Sequence, residues 1–184
     1  QRKFRRLRSC RAEQQPWAYR RRRCGACSAA SVASGITASI TTYITTSISG
    51  ALATALQGAT QTREMWINRT HTADTLFFRL NGSDVGTIYI SSGNLNVYNG
   101  SIIISVSAAA YVPVGVWTHI AVTLSGGVVT LWVNGQSAGT ASGQSFSGST
   151  GTLQLGGAND ARSVGYMSNV RVSNTARYSS AFTP

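Results

Sequence analysis

Strict period-two alternation broken by glycine turns constrains this chain most. In Trp117-Thr-His-Ile-Ala-Val-Thr-Leu124 the set Thr118, Ile120, Val122 and Leu124 faces one way, and Trp117, His119, Ala121 and Thr123 face the other. Ser125-Gly126-Gly127 then turns the chain into Val128-Val-Thr-Leu-Trp-Val133, which stops at Asn134-Gly135. Asn and Gly both tolerate positive φ, so this pair is a strong signal for a tight hairpin. Similar short strands are legible at 64–68, 75–80, 87–90, 95–98, 102–106, 152–155 and 167–172, each bounded by Gly, Asn or Ser. Many short strands with such turns predict an all-β, antiparallel sandwich of the jelly-roll type.

Five motifs stand in one order along that sandwich. They are Glu64-Met-Trp-Ile-Asn, Val116-Trp-Thr-His-Ile-Ala-Val-Thr-Leu, Leu131-Trp-Val-Asn-Gly, Leu153-Gln-Leu-Gly-Gly, and a closing run from Val164 to Thr175-Ala-Arg-Tyr-Ser-Ser-Ala-Phe-Thr-Pro184. In this order the chain resembles the laminin G-like domains of the concanavalin A-like lectin and glucanase jelly rolls, over residues 48–184. The resemblance implies that fold, which carries sugar binders, hydrolases, adhesion modules and virion proteins alike. It also marks Glu64 and Arg171 as recurrent charged positions, so a structural ion pair across the sheet is expected of them.

The glucanase branch needs two closely placed carboxylates, and the folded part holds only Glu64, Asp74, Asp84 and Asp160. No enzymatic activity is expected. Lectin-like relatives often bind calcium through loop carboxylates, and Asp74, Asp84 and Asp160 are the available candidates, a thin supply. No other cofactor is implied. His119 is expected to be a strand residue with a satisfied ring, not a ligand or base. Trp66, Trp117 and Trp132 fit either a core or a sheet face, and an exposed one would suit a sugar platform.

Charge divides the chain. Of the net charge of +11, residues 1–24 supply +9, through ten basic residues against Glu13. Those residues are Arg2, Lys3, Arg5, Arg6, Arg8, Arg11, Arg20, Arg21, Arg22 and Arg23. Residues 1–27 therefore read as an Arg-rich arm with too few apolar groups to fold alone. Such an arm needs a polyanion or an assembly partner, either nucleic acid phosphates or acidic protein. Cys10, Cys24 and Cys27 all lie in it. They admit reduced thiols, one bridge, a crosslink to another chain, or a zinc site needing a further ligand.

Between the arm and the sandwich, residues 28–47 form an uncharged connector rich in Ser, Thr and Ile. Ile36, Ile40, Ile44 and Ile48 recur every fourth residue, followed by Leu52 and Leu56, and β-branched content favours extended structure with a break near Ser49-Gly50. An uncharged edge of this kind suits strand pairing with a neighbouring subunit, making Ile36, Ile40, Ile44 and Ile48 intersubunit strand candidates. No apolar run is long enough to span a bilayer, so no membrane partner is expected.

Two functions follow as expectations. The first is a non-enzymatic structural virion protein, in capsid, decoration layer or tail. Its arm would anchor it to other virion proteins, further copies or the genome, and its jelly roll would be displayed. The alternative is a carbohydrate-binding, lectin-like module of a secreted or surface protein with a glycan as partner.

Overall fold

The computed structural model describes residues 38–39, 44–47, 49–81, 84–146, 152–157 and 165–184. The basic arm, its cysteines, Ile36, Ile40, Ile48 and Asp160 lie outside the described residues.

The elements run β1 (Ala38–Ser39), β2 (Ile44–Ser47), α1 (Gly50–Gln57), β3 (Gln61–Arg69), β4 (Thr75–Asn81), β5 (Thr87–Ser91), β6 (Asn94–Tyr98), β7 (Ile102–Ser107), α2 (Ala108–Tyr111), β8 (Thr118–Ser125), β9 (Val128–Val133), β10 (Gln136–Ala141), β11 (Thr152–Leu155) and β12 (Gly165–Ser173). They form two antiparallel six-stranded sheets. The first has the order β1-β12-β3-β8-β9-β10, the second β2-β11-β4-β5-β6-β7. The fold is thus an all-β antiparallel two-sheet sandwich of the jelly-roll kind.

Alternation decides what the sandwich encloses. Met65, Ile67, Ile120, Val122, Leu124 and Leu131 of the first sheet join Phe78, Leu80, Ile88, Ile90, Leu95, Val97 and Leu153 of the second in one buried apolar cluster. Each such side chain, fully buried, stabilises the fold by about 1.5–3 kcal/mol. One inward position of β3 is a cation. Arg63 is fully buried, donating from Nη1 to the carbonyls of Val85 (2.6 Å) and Gly86 (2.8 Å), and from Nε and Nη2 to Gln61 Oε1. Its guanidinium carbon lies 4.5 Å from the Phe146 ring centroid and 5.1 Å from that of Phe78. Burial pushes its pKa down to about 9, which leaves it charged at neutral pH. A β-carbon on Gly86 would meet Arg63 Nη1 at 2.1 Å, so that position must be glycine for the cation to reach its carbonyls.

The stretch read as a connector departs from expectation at three points. The β1 strand pairs with β12 and the β2 strand pairs with β11, so both belong to sheets of this same chain. Ile44 therefore lies in a strand within the sandwich, where the sequence placed pairing between subunits, and the sandwich starts at Ala38 instead of residue 48. After Ile48 the fourfold spacing continues as the helix α1, which buries Leu52, Ala55 and Leu56. A repeat of four serves a helix as well as a strand, and the Ala and Leu content of this piece decides for the helix.

Strand β8 is buried along both faces up to Ser125. Alternation explains one face. The other is covered by the C-terminal tail, residues 174–184, which crosses the outside of the first sheet. Phe182 N donates to Gly135 O (3.0 Å), and the Tyr178 and Phe182 rings stack at 3.5 Å between centroids. Phe182 meets His119 and Trp132 edge-on at 5.7 and 5.8 Å. At its start the tail is pinned by Thr62, whose Oγ1 donates to Thr175 O (2.7 Å) and accepts from Arg177 N (2.9 Å).

Candidate functional site

The outer face of the first sheet gathers the chain's polar chemistry on adjacent strands. Register places Glu64 opposite Arg171 and Ala121, and Trp66 opposite Ser168 and His119. Glu64 is only 2% exposed. Arg171 Nε donates to its Oε1 and Tyr178 Oη to its Oε2. Arg177 Nε lies 3.2 Å from Oε1 and His119 Nε2 3.5 Å from Oε2. Burial alone would raise the Glu64 pKa. Hydrogen bonds from His119 and Tyr178 and the charges of Arg171 and Arg177 outweigh burial and hold it at about 2. A carboxylate so firmly ionised is a structural anion, ill suited to donating a proton at neutral pH. The Tyr178 hydroxyl is correspondingly raised, by burial first and by its bond to Glu64 second.

Beside this cluster, β12 carries a bulge between Ser168 and Arg171. Asn169 sits in it with a φ of 51°, in the left-handed region that few non-glycine residues enter. Bulges bend a strand and re-aim its side chains, and they concentrate next to functional sites. Here two depressions adjoin the bulge and meet at Trp66 and Asn169. One, of about 430 Å³, is a shallow shelf lined by Trp66, Trp117, Ser168 and Asn169. The other, of about 390 Å³, is a cleft bordered by Glu64, Trp66, His119, Arg171, Tyr178 and Pro184 among others. Trp117 is 39% and Tyr166 43% exposed, their ring centroids 6.4 Å apart and their planes tilted by 41°. Large exposed rings flanked by amide and hydroxyl groups are the usual makings of a ligand surface.

The sequence-derived candidates divide as follows. Glu64 and Arg171 are brought together. The calcium candidates Asp74 and Asp84 are each engaged elsewhere by protein donors. Asp74 accepts from Ser91 Oγ (3.1 Å) and Ser92 N (3.0 Å) at the β5–β6 hairpin, and Asp84 takes both bonds of a fork from Arg79 (2.5 and 3.1 Å). Among the described residues no group of three or more His, Cys, Asp or Glu side chains converges. Among the described residues, too, no helix is long and apolar enough to cross a membrane. His119 is buried in the Glu64 cluster. Sequence reasoning missed Arg177 and Tyr178 as members of that cluster, Asn169 as a member of the shelf, and Tyr166 as the ring beside Trp117.

The structure is a two-sheet antiparallel jelly roll, with β12 paired between β1 and β3 and the tail laid across the outer face. The chain belongs to the concanavalin A-like lectin/glucanases superfamily, in its Laminin_G_3 family, whose profile matches residues 38–181. A comparison with curated proteins finds no match. Among solved structures, the chain is similar to a NanB sialidase of Streptococcus pneumoniae, at 18% identity and a TM-score of 0.62, covering 80% of this chain and 27% of that one. It is also similar to the binding domain of botulinum neurotoxin serotype C1, at 11% identity and TM-score 0.56, covering 74% and 38%. A third similarity is to domain 4 of AbnA, an extracellular arabinanase of Geobacillus stearothermophilus in complex with arabinotriose, at 21% identity and TM-score 0.51, covering 67% and 64%. The chain thus spans less than two thirds of each of these proteins. These likenesses establish the fold. The expectation of a virion protein draws no support from them, and the arm on which it rested lies outside the described residues.

Proposed function

We propose that this chain is a non-catalytic carbohydrate-binding module of a secreted or surface protein, holding a sugar ring on the shelf of Trp66 and Trp117, with the Tyr166 ring beside Trp117. The observation that carries this reading is the exposure of Trp117 and Tyr166 as an angled aromatic pair beside Ser168 and Asn169. The C–H face of a pyranose or furanose packs on such rings, and amide and hydroxyl groups at the rim meet its hydroxyls. The structural neighbours support the reading, since they include an arabinanase domain bound to arabinotriose and a toxin binding domain. A non-catalytic role fits the chemistry of Glu64, whose charge is committed to four donors.

The test is a glycan array probed with the full chain, followed by titration of the best glycan against Trp117→Ala. Because Trp117 is part exposed, the variant should keep the wild-type melting temperature. It should lose affinity by about tenfold or more, the loss expected when an aromatic stacking surface is removed. An array without binding, or a variant that binds as wild type, overturns the reading.

A further inference from the structure

Resting on the carbohydrate reading, we infer that the cleft next to the shelf selects saccharides that carry a carboxylate. The charge count within the cluster is unequal. Two guanidiniums, Arg171 and Arg177, both address Glu64 Oε1, so one negative charge is shared between two positive ones. The two cations are not sealed in. The Arg171 side chain is 39% exposed and lines the cleft, and the Arg177 side chain is 34% exposed, whereas Glu64 between them is 2% exposed.

An incoming ligand in the cleft therefore meets Arg171 far more than Glu64, which borders the cleft but is almost wholly buried. Of the side-chain carboxylates among the described residues, Asp84 is held by Arg79 and Asp74 by the β5–β6 hairpin. Arg171 uses its Nε on Glu64, and the planar fork of a guanidinium offers further N–H donors that match the two oxygens of a carboxylate.

Placement links this charge to the sugar surface. Arg171 lies just beyond the bulge that carries Asn169, and Trp66 and Asn169 border both the shelf and the cleft. A ring resting on the shelf thus has its edge toward the cleft, where an acidic substituent meets the exposed guanidinium of Arg171. A neutral sugar gains the shelf alone.

The test compares matched pairs on the full chain by tryptophan fluorescence: lactose against 3′-sialyllactose, and galactotriose against trigalacturonate. The acidic member of at least one pair should bind about tenfold more tightly, as a charge-assisted contact provides. High salt should erase that advantage in the wild-type protein, a readout that needs no variant. Arg171→Gln should bring the two members of the pair to similar affinity. Equal binding of acidic and neutral members, both lost in Trp117→Ala, overturns the acidic selectivity and leaves the carbohydrate reading standing. An array with no glycan bound removes both.

Discussion

Glu64 shows how a single side chain can be almost fully buried and still charged. Two partners on the sheet, Arg171 and His119, and two on the tail, Arg177 and Tyr178, would each be worth little at an open surface, but around an occluded carboxylate they are strong. Glu64→Gln preserves shape and removes the anion, leaving Arg171 and Arg177 to repel one another across a neutral amide. It should lower the melting temperature by about 5–10 °C, the shift expected for a few kcal/mol in a chain of this size. The acid dependence has a defined sign. The group stays ionised in the fold down to about 2 but protonates near 4.5 when unfolded, so unfolding takes up a proton between those values. Wild-type stability should therefore fall as pH drops through that window while the variant's stays flatter. Melts across the acid range decide it, and an unchanged melting temperature would mean that the cluster carries no stability. Glu64 and Arg171 were legible from their motifs. Arg177 and Tyr178 were not, because only the path of the tail brings them to Glu64, and Arg63 was not, because it precedes the strand read at 64–68 and nothing in the sequence shows which carbonyls satisfy it.

At the scale of elements, strands that alternate were readable and those that do not were missed. Strands β3 to β9 carry apolar residues at every second position or in short runs between turns. By contrast β10, Gln-Ser-Ala-Gly-Thr-Ala, has no large apolar side chain and is a strand only because β9 offers it an edge. The tail is harder still, having neither helix nor strand, and is fixed by single contacts of which Gly135 is the tightest. A β-carbon there would lie 1.7 Å from Phe182 O, and its φ of 76° already suits glycine. Gly135→Ala should strain the Asn134-Gly135 turn and lift Phe182 from His119 and Trp132. Hydrogen exchange should then rise at residues 176–184 and along the outer face of β8, with the second sheet unaffected. Uniform loss of protection would show that the tail is no separate element. The shelf was partly legible: alternation gives a ring its face, and only the neighbours decide whether that face is covered, as for Trp132, or open, as for Trp117.

The whole molecule is ordered by pairings between distant parts of the chain. The early strands β1 and β2 have as neighbours the two last strands, β12 and β11, and β12 sits between β1 and β3. Such a fold has few local contacts outside its hairpins, so refolding should take milliseconds to seconds in stopped-flow measurements. A microsecond phase accounting for the full signal would contradict this. The same topology bears on synthesis. A ribosome works at roughly 5–20 residues per second, so Ile44–Ser47 leaves it on the order of 5–20 seconds before Thr152–Leu155 exists to receive it. For that interval the nascent chain presents an unpaired, uncharged strand to whatever else is being made nearby, including other copies of itself from the same message. Crowded translation at high expression is thus the condition under which this protein is most exposed to pairing with the wrong molecule, whatever its stability once closed.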